Sequence, residues 1–245
     1  MKVVTAHQPA FLPWIGLLHK IMLSDIFIFM DIAKFRKRAF MHRNKIEINK
    51  NSHFIGLKLS DDSDAQYCHE VSISSFHKKN LEEIYNKIIL TYKKYENFKD
   101  LDFFLTKAFN ENKNYLNDIC LTQLKVLCDV MELKIKIINE STIIDFEKSK
   151  NISASERLFL HAIKTSADVY ITGINSIDYL DSTIFEKNKI THKVQNFNYN
   201  FFLKYQNCTE PLSVVHQIAK LGFYRLKEEL LANQVNKNNF LQNAI

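Results

Sequence analysis

The residues best placed to do chemistry open the chain. His7-Gln8-Pro9 directly follows a short apolar run, Val3–Ala6, and begins a loop, His7–Gly16. That loop holds two of the three prolines, the only tryptophan (Trp14) and one of four glycines. An imidazole and a carboxamide at a strand end, followed by the fixed φ of Pro9, form a pre-shaped donor and acceptor pair. Pro13 and Gly16 then turn the chain into a helix over Leu17–Leu23, whose first amides suit an anion such as phosphate. A structural reading competes: His7 capping the helix and Trp14 filling the core. The constraint concentrated in one loop favours function, because loops on a rigid scaffold are where binding groups gather.

Three further constellations stand out. Asp31 ends a strand of large apolar residues, Ile26–Asp31, where a carboxylate either caps a turn or binds an amine, a hydroxyl or a metal. Lys34-Phe35-Arg36-Lys37-Arg38 and His42-Arg43-Asn44 bring five lysines and arginines into ten residues. Arg43-Asn44 is the better anion candidate, since a guanidinium binds phosphate or carboxylate in bidentate fashion; Lys37 and Arg38 read as solvated loop. In Thr172–Asp181, Gly173 ends a strand and lets a ligand approach the backbone. Asn175 and Ser176 follow as helix caps, with Asp178 or Tyr179 facing the crevice. Ser153 and Glu156 fit a capping box, a complete structural explanation, with Arg157 projecting toward a phosphate as the alternative.

Several chemistries are disfavoured. No GxGxxG, P-loop, GxSxG or HExxH occurs, which argues against dinucleotide binding, familiar hydrolases and zinc proteases. Asp62-Ser63-Asp64 fits DxD in form but reads as a solvated acidic turn. Cys68, Cys120, Cys128 and Cys208 are widely spaced and read as free buried thiols; Cys68-His69 has no companion pair for zinc. No metal ligand is assigned.

Composition sets the frame. The chain has 245 residues, 46% hydrophobic and 24% charged, enough for a substantial core. No run reaches the ~18 apolar residues of a membrane span, and Pro9 and Pro13 interrupt any signal-peptide core, so a cytoplasmic location is expected. The net charge of +6 is spread over helix lysines such as Lys79, Lys93 and Lys94, with Tyr92 and Tyr95 packing inward. That favours an anionic small substrate or nucleotide over nucleic acid.

The elements that must position these groups alternate. Strands are expected at Val3–Ala6, Ile26–Asp31, Lys45–Ile48, Phe54–Leu59, Val71–Ile73, Lys134–Asn139, Val169–Thr172 and Thr191–Gln195. Helices are expected at Ser153–Thr165, Ser176–Phe185 and from Leu212, with two or three more between Lys78 and Val130 and a fraying polar tail, Asn233–Asn243. Strands separated by helices imply parallel pairing. The expected fold is α/β: a Rossmann-like, mostly parallel central sheet in a single domain over 1–245, with a helical insertion around 78–130 and a helical C-terminus. Ligands bind beyond the carboxyl ends of such strands, and His7, Asp31 and Gly173 all sit there.

His7-Gln8-Pro9-x-Phe11-x-Pro13-Trp14-x-Gly16, with Lys20-Ile21, Ser24-Asp25, Asp31 and Arg43-Asn44, resembles the opening of the WbqC-like family. Gly173 with Asp178-Tyr179-Leu180-Asp181 is similar to its second block. Tyr205-Gln206, Leu212-Ser213 and Leu221-Gly222 are similar to its third. One departure is His216, where the family usually carries an acid. The resemblance implies a bacterial protein of O-antigen, capsule or flagellar glycan synthesis, attaching an amino-acid or acyl group in amide linkage to the amine of a nucleotide-linked amino sugar. The order of the first elements is also similar to nucleotidyltransferase-like folds such as pantothenate synthetase, without their HxGH motif. By that analogy ATP is a candidate cofactor; a charged tRNA or a thioester stays open as donor.

On this reading His7, Gln8 and Asp31 are the catalytic candidates. His7 and Gln8 meet phosphate or developing charge, and Asp31 takes the amine or its proton. Trp14, Lys20, Arg43, Asn44, Gly173, Asn175, Ser176, Asp178, Tyr179 and Gln206 are the substrate-binding candidates. A glycosyltransferase and a non-catalytic sugar-nucleotide-binding protein are the alternatives. The sugar, the donor, metal dependence, oligomeric state and the role of His216 stay open.

Overall fold

Short apolar runs such as Ile26–Phe29 and Val169–Ile171 are too brief for helices and apolar on both faces, the pattern of strands buried in a parallel sheet. The computed structural model describes residues 1–60, 66–73, 77–109, 113–233 and 237–242. Its first half runs β1 (Val3–His7), α1 (Ile15–Met22), β2 (Ile26–Phe29), β3 (Arg43–Ile48), β4 (Asn51–Gly56), α2 (His77–Tyr92), α3 (Phe98–Ala108) and α4 (Leu116–Val130). There follow β5 (Lys136–Asn139), α5 (Phe146–Asn151), α6 (Ala154–Thr165), β6 (Val169–Gly173), α7 (Thr183–Glu186), β7 (Thr191–Gln195), α8 (Val214–Asn233) and α9 (Lys237–Gln242).

Five strands form a wholly parallel sheet in the order β5-β2-β1-β6-β7. The chain winds outward one way from β1 and then restarts on the other side, so the order reverses between β1 and β6. That switch point is where a Rossmann-like sheet opens its ligand crevice. In register, His7 lies beside Phe29, and Phe29 beside Asn139. Phe27 and Phe29 pack into an apolar cluster with α1, α2, α3, α4 and α8, while Val4, Ile28 and Tyr170 pack against Leu158 and Ala162 of α6 and Phe185 of α7. The expected helical insertion is three helices, and it shares its cluster with Phe11, Leu12 and Ile15 of the opening loop. Cys68, Cys120 and Cys128 are buried thiols, and burial pushes Cys68 and Cys128 up to about 12.

Four local expectations are corrected. β3 and β4 form a separate antiparallel hairpin, turned by Asn49 and Lys50 at φ 50 and 66. Positive φ at both central residues marks a type I′ turn, missed because Asn-Lys lacks the usual glycine. Val71–Ile73 is reduced to isolated bridges from Ser72 to Tyr115 and from Ile73 to Leu59. In place of one helix over Ser176–Phe185 there is a 3-10 turn, Ile174–Ser176, and α7 begins only after Asp181 accepts from Thr183 N and Oγ1 at 3.0 and 2.7 Å. The C-terminal tail does not simply fray: Phe240 and Leu241 of α9 pack on Val3, Leu23, Val169 and Ile171, and Lys193 Nζ donates to Phe240 O at 2.9 Å. Asp61–Asp64, with its DxD pattern, lies outside the described residues.

α8 is interrupted at Gly222, which adopts φ 69 and ψ 174. The break is stapled from α3: Asp100 Oδ2 accepts from Phe223 N, and Asn97 Nδ2 donates to Lys220 O, both at 2.9 Å. A Cβ here would lie 2.7 Å from Asp100 Oδ2 and 2.9 Å from Asn97 Oδ1, in a backbone conformation that only glycine adopts cheaply. Gly222→Ala should therefore destabilise the fold by about 2–4 kcal/mol, the sum of backbone strain and a weakened staple. The urea midpoint reads this, and a loss under about 1 kcal/mol would contradict the steric account.

Candidate functional site

The opening loop is held from several sides. Leu12 sits at φ 43, costly for a leucine. Its N–H donates to Gln123 Oε1 at 2.8 Å and its carbonyl accepts from Asn44 Nδ2 at 2.7 Å. Phe11 N donates to Met41 O at 3.0 Å, and Gln195 Nε2, from the end of β7, donates to Gly16 O at 2.9 Å. Trp14 lies over Gly16, where a Cβ would fall 2.3 Å from the indole, and packs edge-on against Phe197 at 5.4 Å. This loop is a rigid rim, and Trp14 is part of its aromatic wall.

His7 does not cap α1, whose N-terminus carries no side-chain cap. Its Nδ1–H donates to Gln8 O at 2.7 Å. That tautomer leaves Nε2 with a lone pair and, among the described residues, no hydrogen-bond partner. Burial, and next the charge of Lys20, push the imidazole down to about 3, so it is neutral across the physiological range. Gln8 makes no side-chain hydrogen bond among the described residues either, so its carboxamide is available.

Lys20 completes the arrangement. It sits on α1 with 5% of its surface exposed and reaches back along the helix, as long side chains do. Its Nζ donates to Ala6 O at 2.9 Å. Among the described residues no carboxylate pairs with it, and burial alone pulls it down to about 8. A buried ammonium with no carboxylate partner among the described residues, beside a neutral imidazole at the carboxyl end of β1, has the charge and the position to pair with an anion.

Across the switch point, Gly173 is extended, and a Cβ there would meet nothing within 4 Å. The glycine leaves an open floor; it does not serve a special turn. Asn175, Asp178 and Tyr179 are exposed on the following segment. Burial raises the Tyr179 phenol, and the nearby Arg36 charge opposes that rise, which places Arg36 of the basic loop toward this turn.

Other candidates are already occupied. Ser176 is buried and donates to Thr172 Oγ1 at 2.6 Å, which in turn bonds His192 Nε2 at 2.8 Å. Asn44 is a clamp on the loop backbone, with Oδ1 accepting from Lys45 N. Gln206 donates to Cys208 O and Glu210 O, both at 2.7 Å, and accepts from Tyr199 OH at 2.9 Å, closing its own loop. Arg43 donates to Arg38 O at 2.9 Å and stacks over Phe54 at 4.6 Å, bracing the basic loop. His216 is a core histidine, with Nε2–H donating to Tyr205 O at 3.0 Å and Nδ1 accepting from Tyr92 OH at 3.2 Å. Asp31 accepts from Ser141 N at 3.0 Å and Ser141 Oγ at 2.5 Å, tying β2 to the turn after β5.

One buried network has no counterpart in the sequence reading. Glu140, fully buried just past β5, accepts from Arg157 Nε and Nη2 at 2.5 Å and from His161 Nε2 at 2.6 Å; His161 Nδ1 accepts from Tyr170 OH at 2.9 Å. Burial would raise the Glu140 carboxyl, but the bonds from Arg157 and His161 hold it below its ordinary value. The Ser153–Glu156 capping box is present, and Arg157 meets Glu140 where a phosphate was expected. Glu140 follows a strand end as Asp31 does, and the same rule would have singled it out.

Beyond the ends of β2 and β5, beside this edge, lies a cavity of about 190 Å³. A hollow of about 310 Å³ is lined by Lys94, Tyr95, Glu96, Ala219 and Lys220, none of which ends a strand of the sheet. Among the described residues no three His, Cys, Asp or Glu side chains gather as metal ligands, and no helix is long and apolar enough to cross a membrane.

Nothing among curated proteins or solved structures matches the chain. A family model, that of the WbqC-like protein family, matches residues 8–226. That match begins at Gln8, just past β1, takes in β2, β5, β6 and β7 and ends past the glycine break in α8, so the chain belongs to the WbqC-like protein family.

Proposed function

We propose that this protein is a transferase of bacterial surface-glycan biosynthesis, joining an amino-acid or acyl group in amide linkage to the amine of a nucleotide-linked amino sugar. The family fits a function in glycan biosynthesis. One observation carries the chemistry: the buried, unpaired Lys20 ammonium beside the neutral His7, at the switch point of the sheet. A nucleotide-linked sugar brings a pyrophosphate, and its oxygens match that ammonium, with Arg36 and the basic loop on the approach.

In the reaction, the sugar amine attacks the acyl carbon of an activated donor: an acyl adenylate formed with ATP, an aminoacyl-tRNA ester or a thioester. The new C–N bond forms as the bond to the leaving group breaks and its electron pair departs with that group. The amine proton passes to His7 Nε2, which returns it to the leaving group or to solvent. Gln8 can donate to the oxygen on which negative charge develops. Phosphate against Lys20 cancels one of the two influences that lower His7, so substrate binding strengthens the base.

The test is a mass-spectrometric search for a glycyl adduct after mixing the protein with a dTDP-amino sugar, glycine and ATP. It is repeated with glycyl-tRNA and with an acyl thioester. An adduct on the sugar amine from any donor supports the reading. Tight sugar-nucleotide binding with no product leaves a binding protein, and release of the nucleoside diphosphate with a new glycosidic bond indicates a glycosyltransferase; either outcome overturns it.

A further inference from the structure

The cavity beyond β2 and β5 shares the sheet edge with His7. Phe29 and Asn139, which end the two strands, form its floor. Both lie in register with His7 through adjacent strands, so all three project to the same side of the sheet. Neighbouring strands are about 4.8 Å apart, which puts the cavity roughly 5–10 Å from His7 along the edge.

Its unpartnered buried atoms share one character. Asn117 Nδ2 donates to Asp31 O at 2.8 Å. A carbonyl only accepts, so the amide is fixed in that sense and Oδ1 is left as a buried acceptor with no partner. His69 Nδ1 is likewise buried and unpartnered, and it accepts when the ring proton sits on Nε2. Asp31 and Asp118 add two carboxylates, and no lysine or arginine lines the wall. Lys150, over the adjoining Phe146 and Tyr67 rings, is paired to Glu147. The buried atoms of this wall left without a partner are therefore acceptors, with two carboxylates beside them, while Tyr115 and Asn139 add a hydroxyl and a carboxamide. A ligand that satisfies those atoms carries N–H donors and a positive charge.

Size narrows the class. A dry cavity of about 150 Å³ holds one benzene, so about 190 Å³ suits some six to eight non-hydrogen atoms. We infer that this cavity is a second binding site, taking a small primary ammonium compound of amino-acid size with its ammonium against Asn117 Oδ1, His69 Nδ1 and Asp118. Assigning that compound as the acyl donor's amino acid rests on the transferase reading; the binding itself does not.

The test is calorimetric titration at neutral pH with three probes of similar size: glycinamide, acetamide and acetate. Glycinamide is expected to bind, with acetamide and acetate weaker by about tenfold or more, the worth of a charge-assisted hydrogen bond. Asn117→Leu and the exposed Asp118→Asn should each weaken glycinamide by about tenfold while leaving affinity for a nucleoside diphosphate within about twofold. Asp118→Asn keeps the measurement valid if Asn117→Leu misfolds. Acetamide or acetate binding as well as glycinamide overturns the inference, as does glycinamide binding unaffected by both variants. A Lys20→Met protein that still binds the nucleoside diphosphate would overturn the strand-end phosphate site while leaving this cavity standing.

Discussion

Lys20→Met should lose affinity for a nucleoside diphosphate by about 100-fold while remaining folded and no less stable. The two effects have one origin. The Lys20 ammonium is buried against a single carbonyl, and its ordinary value of 10.5 falls to about 8. At neutral pH that shift corresponds to about 3 kcal/mol of strain in the folded state, offset in the variant by about 1 kcal/mol for the lost bond to Ala6 O. Methionine fills a similar volume without the charge, so the urea midpoint should hold or rise.

The pH dependence follows with a definite sign. Between about 8 and 10.5 the unfolded Lys20 is protonated and the folded one is not, so unfolding takes up a proton. Wild-type stability should rise across that window, and the rise should vanish in Lys20→Met. Affinity for the diphosphate runs the other way, weakening above about pH 8 as the ammonium is lost. Binding by Lys20→Met within about threefold of wild type would remove the phosphate site altogether, since less than 1 kcal/mol would then separate them.

The second large effect is on turnover. His7→Ala should lower kcat by about 10²-fold, the low end of a general base's worth because burial and Lys20 hold the ring far below the operating pH, with nucleotide affinity changed only a few-fold. The ring is half-buried and makes one hydrogen bond to the adjacent carbonyl, so the fold survives its removal. His7→Gln restores polarity without a base of useful strength and should stay inactive. Because burial and Lys20 hold His7 near 3, its folded form resists protonation, and acid should destabilise wild type from about pH 6.5 downward more steeply than His7→Ala. Activity of His7→Ala within a few-fold of wild type would make the loop a structural rim only.

Local rules made much of this molecule legible. Apolar runs of strand length alternating with helical spacing determine a parallel α/β sheet, because crossover connections of that length join parallel neighbours. The carboxyl ends of those strands can be read directly, so His7, Asp31 and Gly173 fall on one edge whatever the strand order. The His7–Gly16 loop declares its rigidity through Pro9, Pro13 and the Trp14–Gly16 pair. None of these inferences needs a distant partner.

Only the tertiary structure decided which polar groups remain free. Asn44 and Gln206 look like recognition residues in the sequence, yet one holds the backbone of Leu12 and the other its own loop. Lys20 resembles any helix lysine until the fold buries it with no carboxylate partner among the described residues. Asp31 meets Ser141, and Leu12 meets Gln123, across more than a hundred residues. Residue type sets the bonds a side chain can make; burial and the neighbours that the sheet order brings determine which bonds are already made. The groups left over, His7 Nε2, Gln8, Lys20 and the acceptors around Asn117, form the candidate site because, among the described residues, folding supplied them no side-chain partner.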